Sequence, residues 1–280
     1  WNGSDRSIMI PDIAEPDSTF INSKYLSLER EVPFYAIFEF NNIESIPRSL
    51  PFPFHVCDSV KKLKAWGVKN LTEIYGLIPE HNTINAIVTR EFEKNPDMNV
   101  EKFLYTLAVR QFGEESGKWV YKAWEEMKKA FDVWNDMEYG PLDGSQHILS
   151  IGTAVSLPPL ITSDIVSSFE GILKILTNVE PWRADGYEKF KEKMFLNKMS
   201  LMNEHFKQAV EFAETAVGAS SDSEYIDICD YQSINGRPTC KGYAELNFAP
   251  IAVTEAICRQ RCNMLKAYHF CVEIEKLCAD

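Results

Sequence analysis

The chain has 280 residues, 45% hydrophobic and 25% charged, the balance of a folded globular protein and enough for one large domain or two ordinary ones. Its formal charge of −12 argues against a nucleic-acid footprint, which requires clustered Lys and Arg to neutralise phosphates. No stretch approaches the ~20 apolar residues that cross a bilayer, so no membrane span is expected.

The opening, Trp1 to Asp17, is polar, acidic and punctuated by proline, with none of the character of a signal peptide. It reads as a truncated start, because the pattern that follows opens in the middle of a fold. Seven cysteines are present, at 57, 229, 240, 258, 262, 271 and 278, an odd number that does not suggest a disulfide framework. Cys258 and Cys262, four apart in a helical pattern, share a face. Without a CxxC pair or an HxxxH partner they do not spell a metal site, and neither metal nor cofactor is expected. Ordinary thiols point to a reducing compartment, read here as the cytoplasm.

From Val32 the chain alternates strand and helix signals. Val32 to Phe40 is a continuous apolar, aromatic-rich run, as a parallel strand covered on both faces requires. It stops at Asn41-Asn42, and Pro47, Pro51 and Pro53 make Ile46 to Phe54 an extended loop. A helix is predicted from His55 to Trp66, with Val56, Val60 and Leu63 inward and Gly67 closing it. Val68 to Tyr75 reads as the next strand and Asn82 to Glu93 as the next helix, a succession of βα units with right-handed crossovers.

Beyond Pro96 the period changes. Val100, Phe103, Leu104, Leu107 and Ala108 recur at helical spacing, and Gly113 punctuates the end. Val120, Ala123, Trp124, Met127, Ala130, Phe131 and Trp134 mark a longer helix, whose aromatic stripe reads as core rather than as a sugar platform. Tyr139 to Pro159 is a long loop; helices are predicted over 163–177, 186–217 and 244–277, with a polar loop from Ser220 to Gly242.

In α/β barrels the working residues lie at the C-terminal ends of the strands. That rule selects Glu39, Asn41, Asn42 and Glu44 after the first strand, and Glu73 and Tyr75 after the second, as substrate-binding candidates. Carboxylates and side-chain amides at such a rim suit a polyhydroxylated ligand, since each engages vicinal hydroxyls directionally. A carboxylate pair held ~5–9.5 Å apart also performs acid and base work on a glycosidic bond. The competing reading of Glu39 and Glu73 is structural, as partners of rim lysines. No GxSxG elbow, GxxxxGK[ST] phosphate loop or HExxH zinc helix is present, and the five histidines are dispersed without ligand spacing.

The order of an apolar strand, Asn41-Asn42-Ile43-Glu44, Pro47, Pro51-Phe52-Pro53-Phe54, a helix, Trp66-Gly67-Val68, a short strand and Gly76-Leu77-Ile78-Pro79 resembles the seventh and eighth βα units of bacterial TIM-barrel proteins. Those proteins are glycoside-hydrolase-like and distantly hexosaminidase-like. Arg110-Gln111-Phe112-Gly113 and Ala123-Trp124 are similar to their helical C-terminal extension. The likeness covers roughly 32–134. One departure is Glu73-Ile74-Tyr75, where such proteins often carry a Trp near the end of the eighth strand.

The resemblance implies an α/β fold class: a partial TIM barrel over 1–95, holding the last βα units, followed by an all-α extension over 96–280. It implies a fragment of a glycosidase acting on a carbohydrate substrate, whose acid/base residue lies upstream of Trp1, so no catalytic residue is assigned. The rival expectation is a non-enzymatic helical interaction or carbohydrate-binding module, supported by a helical part that fills about two thirds of the chain and holds no obvious chemistry.

Overall fold

The structure, a computed structural model, describes residues 6–10, 34–38, 50–65, 70–73, 83–135, 193–223 and 238–279. In chain order the elements are β1 (Arg6–Ile10), β2 (Phe34–Phe38), α1 (Pro53–Ala65), β3 (Asn70–Glu73), α2 (Ile84–Phe92), α3 (Val100–Phe112), α4 (Glu114–Asn135), α5 (Lys193–Ala219) and α6 (Cys240–Ala279). Helices hold most of the described residues, and α6 alone runs for 40.

The chain is not a partial TIM barrel, and the expected α/β barrel class is corrected to a mainly helical one. The segments around Tyr35 and Leu71 do pair in parallel, with Ala36 opposite Leu71, and β1 adds a third parallel strand on the other side of β2. Those strands are only four or five residues long and lie in the open order β1-β2-β3, far too few to close a barrel. The helix predicted to cover a barrel stave has a different use. Val56, Cys57 and Val60 of α1 are buried in a core built with the other helices, and α1 packs on α2, α3 and α4. The glycoside-hydrolase-like resemblance, which rested on barrel topology, is withdrawn with it.

The helices form where the local chemistry dictates. Thr83 caps α2 by accepting the Ala86 amide at 3.2 Å, and Asn99 caps α3 by accepting the Lys102 amide at 2.8 Å. Before α1, the proline-rich loop is held by one fully buried amide. Asn85 accepts the Phe52 N–H through Oδ1 at 3.0 Å and donates Nδ2 to the Leu50 carbonyl at 2.8 Å. Both backbone groups thereby find partners out of water, as burial requires.

Gly113 ends α3 in a left-handed conformation, φ 82°, and α4 begins at the next residue. So tight a junction forces the two helices together. At Gly117 an added Cβ would lie 2.6 Å from Val109 Cα and 2.7 Å from the Ala108 carbonyl oxygen. Backbone, not a flexible side chain, fills that space.

α4 packs on α5 along most of its length, α5 packs on α6, and Trp124, Phe131, Phe206, Met127 and Met199 occupy the interior. Phe131 meets Phe52 and Phe206 edge-on at 5.7 and 6.1 Å between ring centroids, tying the loop before α1 to α4 and α5. Phe112 stacks on Tyr243 at 5.0 Å, joining α3 to α6. At the other end of α4, Ser116 and Ser220 both approach the Ala216 carbonyl, at 2.9 and 2.8 Å. The predicted stripe of α4 is core, as expected: Val120, Ala123, Trp124, Met127, Ala130 and Phe131 are all buried. The predicted helix over 163–177 lies outside the described residues.

The close approach at Gly117 has a measurable consequence. Gly117→Ala is expected to lower stability by about 1–3 kcal/mol, read as a reduced urea midpoint at unchanged slope. Gly218→Ala, where an added Cβ meets nothing within 4 Å, is expected to hold or raise the midpoint. Equal midpoints for the two variants would contradict the packing described.

Candidate interaction surface

Helix α6 carries apolar residues on two faces. One face is core: Tyr243, Ala244, Ile251, Ile257, Cys258, Cys262 and Leu265 are buried against the bundle. The other is exposed. Leu246, Val253, Phe270, Ile274 and Leu277 are between 41% and 78% accessible, five of the eight large apolar side chains exposed among the described residues. Ala249, Ala256 and Asn263 on the same side are exposed as well.

The spacing of this second face is regular. From Leu246 the steps run 3, 4 and 3 through Ala249, Val253 and Ala256, then through Gln260, Asn263 and Ala267 to Phe270, Ile274 and Leu277. Alternating steps of three and four define a seven-residue repeat, the narrow seam by which one helix packs lengthwise on another. A face that merely covers a globular core is wider. Beyond Leu265, the last buried core residue of α6, the helix continues for 14 residues to Ala279. Over that stretch Ala267 and Val272 are half-buried, while Phe270, Ile274 and Leu277 face outward.

Polar groups inside the bundle were the competing candidates for a site. Glu126 of α4 is buried, and both its oxygens are engaged: Oε2 lies 2.8 Å from His205 Nδ1 on α5, and Oε1 accepts from Lys129 Nζ at 2.6 Å. Burial alone would raise this carboxyl. The hydrogen bonds from Lys129 and His205 outweigh that effect and hold it below its ordinary value. The carboxylate works as a strut between α4 and α5.

The Cys258 and Cys262 thiols lie on one face of α6 as predicted, 4.0 and 3.1 Å from the Met199 carbonyl. Hydrogen bonding to Cys262, with burial added, pushes the Cys258 thiol up. Burial does the same to Cys57. Neutral, enclosed thiols such as Cys57 and Cys258 are poor nucleophiles and poor metal ligands, whereas the hydrogen bond from Cys258 lowers the Cys262 thiol. Among the described residues no group of three or more His, Cys, Asp or Glu side chains could hold a metal ion.

Of the residues predicted to bind a sugar, Glu73 ends β3, its backbone paired with Phe38. Glu39, Asn41, Asn42, Glu44 and Tyr75 lie outside the described residues. The seam on α6 was not anticipated, although its signal, the three-four alternation from Leu246 to Leu277, is present in the sequence. Glu126 and His205 stand 79 residues apart and share no spacing that could have announced them.

No protein-family model, curated protein or solved structure matches this chain. Its own geometry therefore carries the functional reading. Among the described residues no helix is long and apolar enough to cross a membrane.

The Glu126 strut sets a pH dependence. Its folded-state value is depressed, so its contribution is complete above the unfolded-state value of about 4.3 and is lost as pH falls through the folded-state value. Glu126→Gln is expected to cost about 1–2 kcal/mol at pH 7. The gap from the parent chain is expected to narrow below about pH 4.3, followed by urea unfolding across pH. A gap that stays constant down to acid pH would contradict the assignment.

Proposed function

We propose that this chain is a non-enzymatic helical interaction module, and that the exposed seam of α6 is its binding face. The single observation behind the reading is the row Leu246, Val253, Phe270, Ile274 and Leu277, large apolar groups in heptad register on the outer side of a 40-residue helix. Scattered exposed apolar residues are ordinary, but a row in one register along a single helix is characteristic of a face that another surface covers. The buried Glu126 and His205 are engaged with each other as a strut between α4 and α5, which supports binding over turnover. Glycan hydrolysis drew its support from a barrel rim, and with the barrel gone the helical alternative is the reading that keeps its support.

We place the protein in a reducing compartment such as the cytoplasm, a reading supported by the free thiols of Cys57, Cys258 and Cys262.

A binding face and a core face respond differently to charge. At protein concentrations low enough that association contributes nothing, Phe270→Glu with Leu277→Glu is expected to change unfolding free energy by no more than about 0.5 kcal/mol for each substitution. Leu265→Ala, on the core side of the same helix, is expected to cost about 2–5 kcal/mol. Urea titration followed by tryptophan fluorescence measures both. A large loss from the paired glutamates would show that the row belongs to the protein's own core, and the interaction reading would fail.

A further inference from the structure

We propose that Cys258 and Cys262 together form a two-coordinate site for a soft monovalent cation, Cu(I), enclosed between α6 and α5. The site lies on the inner face of α6 and owes nothing to the outer row.

Helical spacing sets its geometry. Cys258 and Cys262 are one turn apart on the buried side of α6, 0% and 2% exposed. Both sulfurs reach the same place on α5, lying 4.0 and 3.1 Å from the Met199 carbonyl oxygen, and the two thiols hydrogen-bond to each other. Cys57, equally buried on α1, has no second cysteine within a turn of its helix.

The pair suits an atom held between its sulfurs better than a direct bond. Side chains four apart on a helix have Cβ atoms about 5–6 Å apart. A disulfide needs roughly 3.5–4.5 Å, so closing one would require α6 to unwind. A bridging metal ion meets no such conflict. Two metal–sulfur bonds of about 2.3 Å each span the wider gap on an intact helix.

The ligand set selects the ion. Among the described residues no group of three or more His, Cys, Asp or Glu side chains could hold a metal, so zinc, which usually takes four such ligands, is not accommodated. Calcium and magnesium require roughly six or more oxygens, which two thiols do not supply. Sulfur in a dry interior suits a soft ion satisfied by few ligands, and thiolate and thioether groups select Cu(I). Met199 and Met202 of α5 are buried in the same core and add soft, adaptable side chains to it.

The charges balance. A thiol that is neutral at rest gives up its proton to the ion that coordinates it. One Cu(I) therefore enters, two thiol protons leave to solvent, copper stays Cu(I), and the site carries one net negative charge. The Ser200 hydroxyl donates to the Cys262 sulfur, and Lys266, one turn beyond Cys262, attracts that charge. Glu255 opposes it beside Cys258, but is engaged by Arg259 at 2.9 Å.

Competition with the Cu(I)–bicinchoninate complex, run anaerobically on the reduced full chain, tests the proposal. The parent is expected to withdraw Cu(I), read as lost absorbance of the chelate. Cys258→Ser and Cys262→Ser are each expected to withdraw one equivalent fewer, with far-ultraviolet helicity unchanged, while Cys57→Ala withdraws as much as the parent. X-ray absorption of the parent loaded with one equivalent is expected to show copper bound by two sulfurs, a readout that holds whether or not the serine variants fold.

A parent chain that withdraws no Cu(I) overturns the proposal, as do folded serine variants that withdraw as much as the parent. Copper bound by three or more sulfurs, or by nitrogen or oxygen, overturns it as well.

Discussion

The burial of one helix face holds this structure together. Val120, Ala123, Trp124, Met127, Ala130 and Phe131 line α4, and their apolar area is more than any single neighbour can cover. α5 covers one flank, α3 returns over another through the tight turn at Gly113, and α1 arrives at the Phe131 end. The polar contacts follow from that packing. Glu126 meets His205 because α4 and α5 are already in contact, and Ser116 reaches Ala216 for the same reason at the opposite end. With α5 fixed, α6 has a surface to lie on, through Met199, Cys258 and Cys262.

α6 is the element this hierarchy does not exhaust. Its inner face completes the bundle, and its length takes it past the last buried core residue, Leu265. Interior packing accounts for Ile257 and Leu265, whereas nothing in the described bundle accounts for Phe270 or Leu277. Exposing such side chains costs free energy unless a second surface removes them from water. Pro250 lies within the helix, and the Thr254 hydroxyl donates to its carbonyl at 2.8 Å. The chain thus continues one long helix past a residue that lacks an amide hydrogen, and the exposed row continues with it.

Local features were legible in the sequence where one interaction decides them. Gly113 announces the end of α3, and the periodic rows over Val100 to Ala108 and Val120 to Phe131 announce α3 and α4. The strand pairing around Ala36 and Leu71 was legible too, from continuous apolarity and the intervening helix. The barrel was not legible, because closure depends on how many strands meet, and a βα succession carries no such count. Val56 and Val60 show the ambiguity: an inward-facing row on α1 reads the same whether a sheet or other helices receive it. The seam escaped notice for a related reason. α6 is apolar on two sides, and overlapping rows of buried and exposed residues hide each other until burial separates Leu265 from Phe270.

Amide hydrogen exchange along α4 and α6, compared between the parent chain and Phe270→Glu with Leu277→Glu, tests most directly whether the outer row of α6 lies apart from the core. Protection of α4 and of α6 up to Leu265 is predicted to match that of the parent chain. Protection lost across α4 in the paired variant would contradict the account.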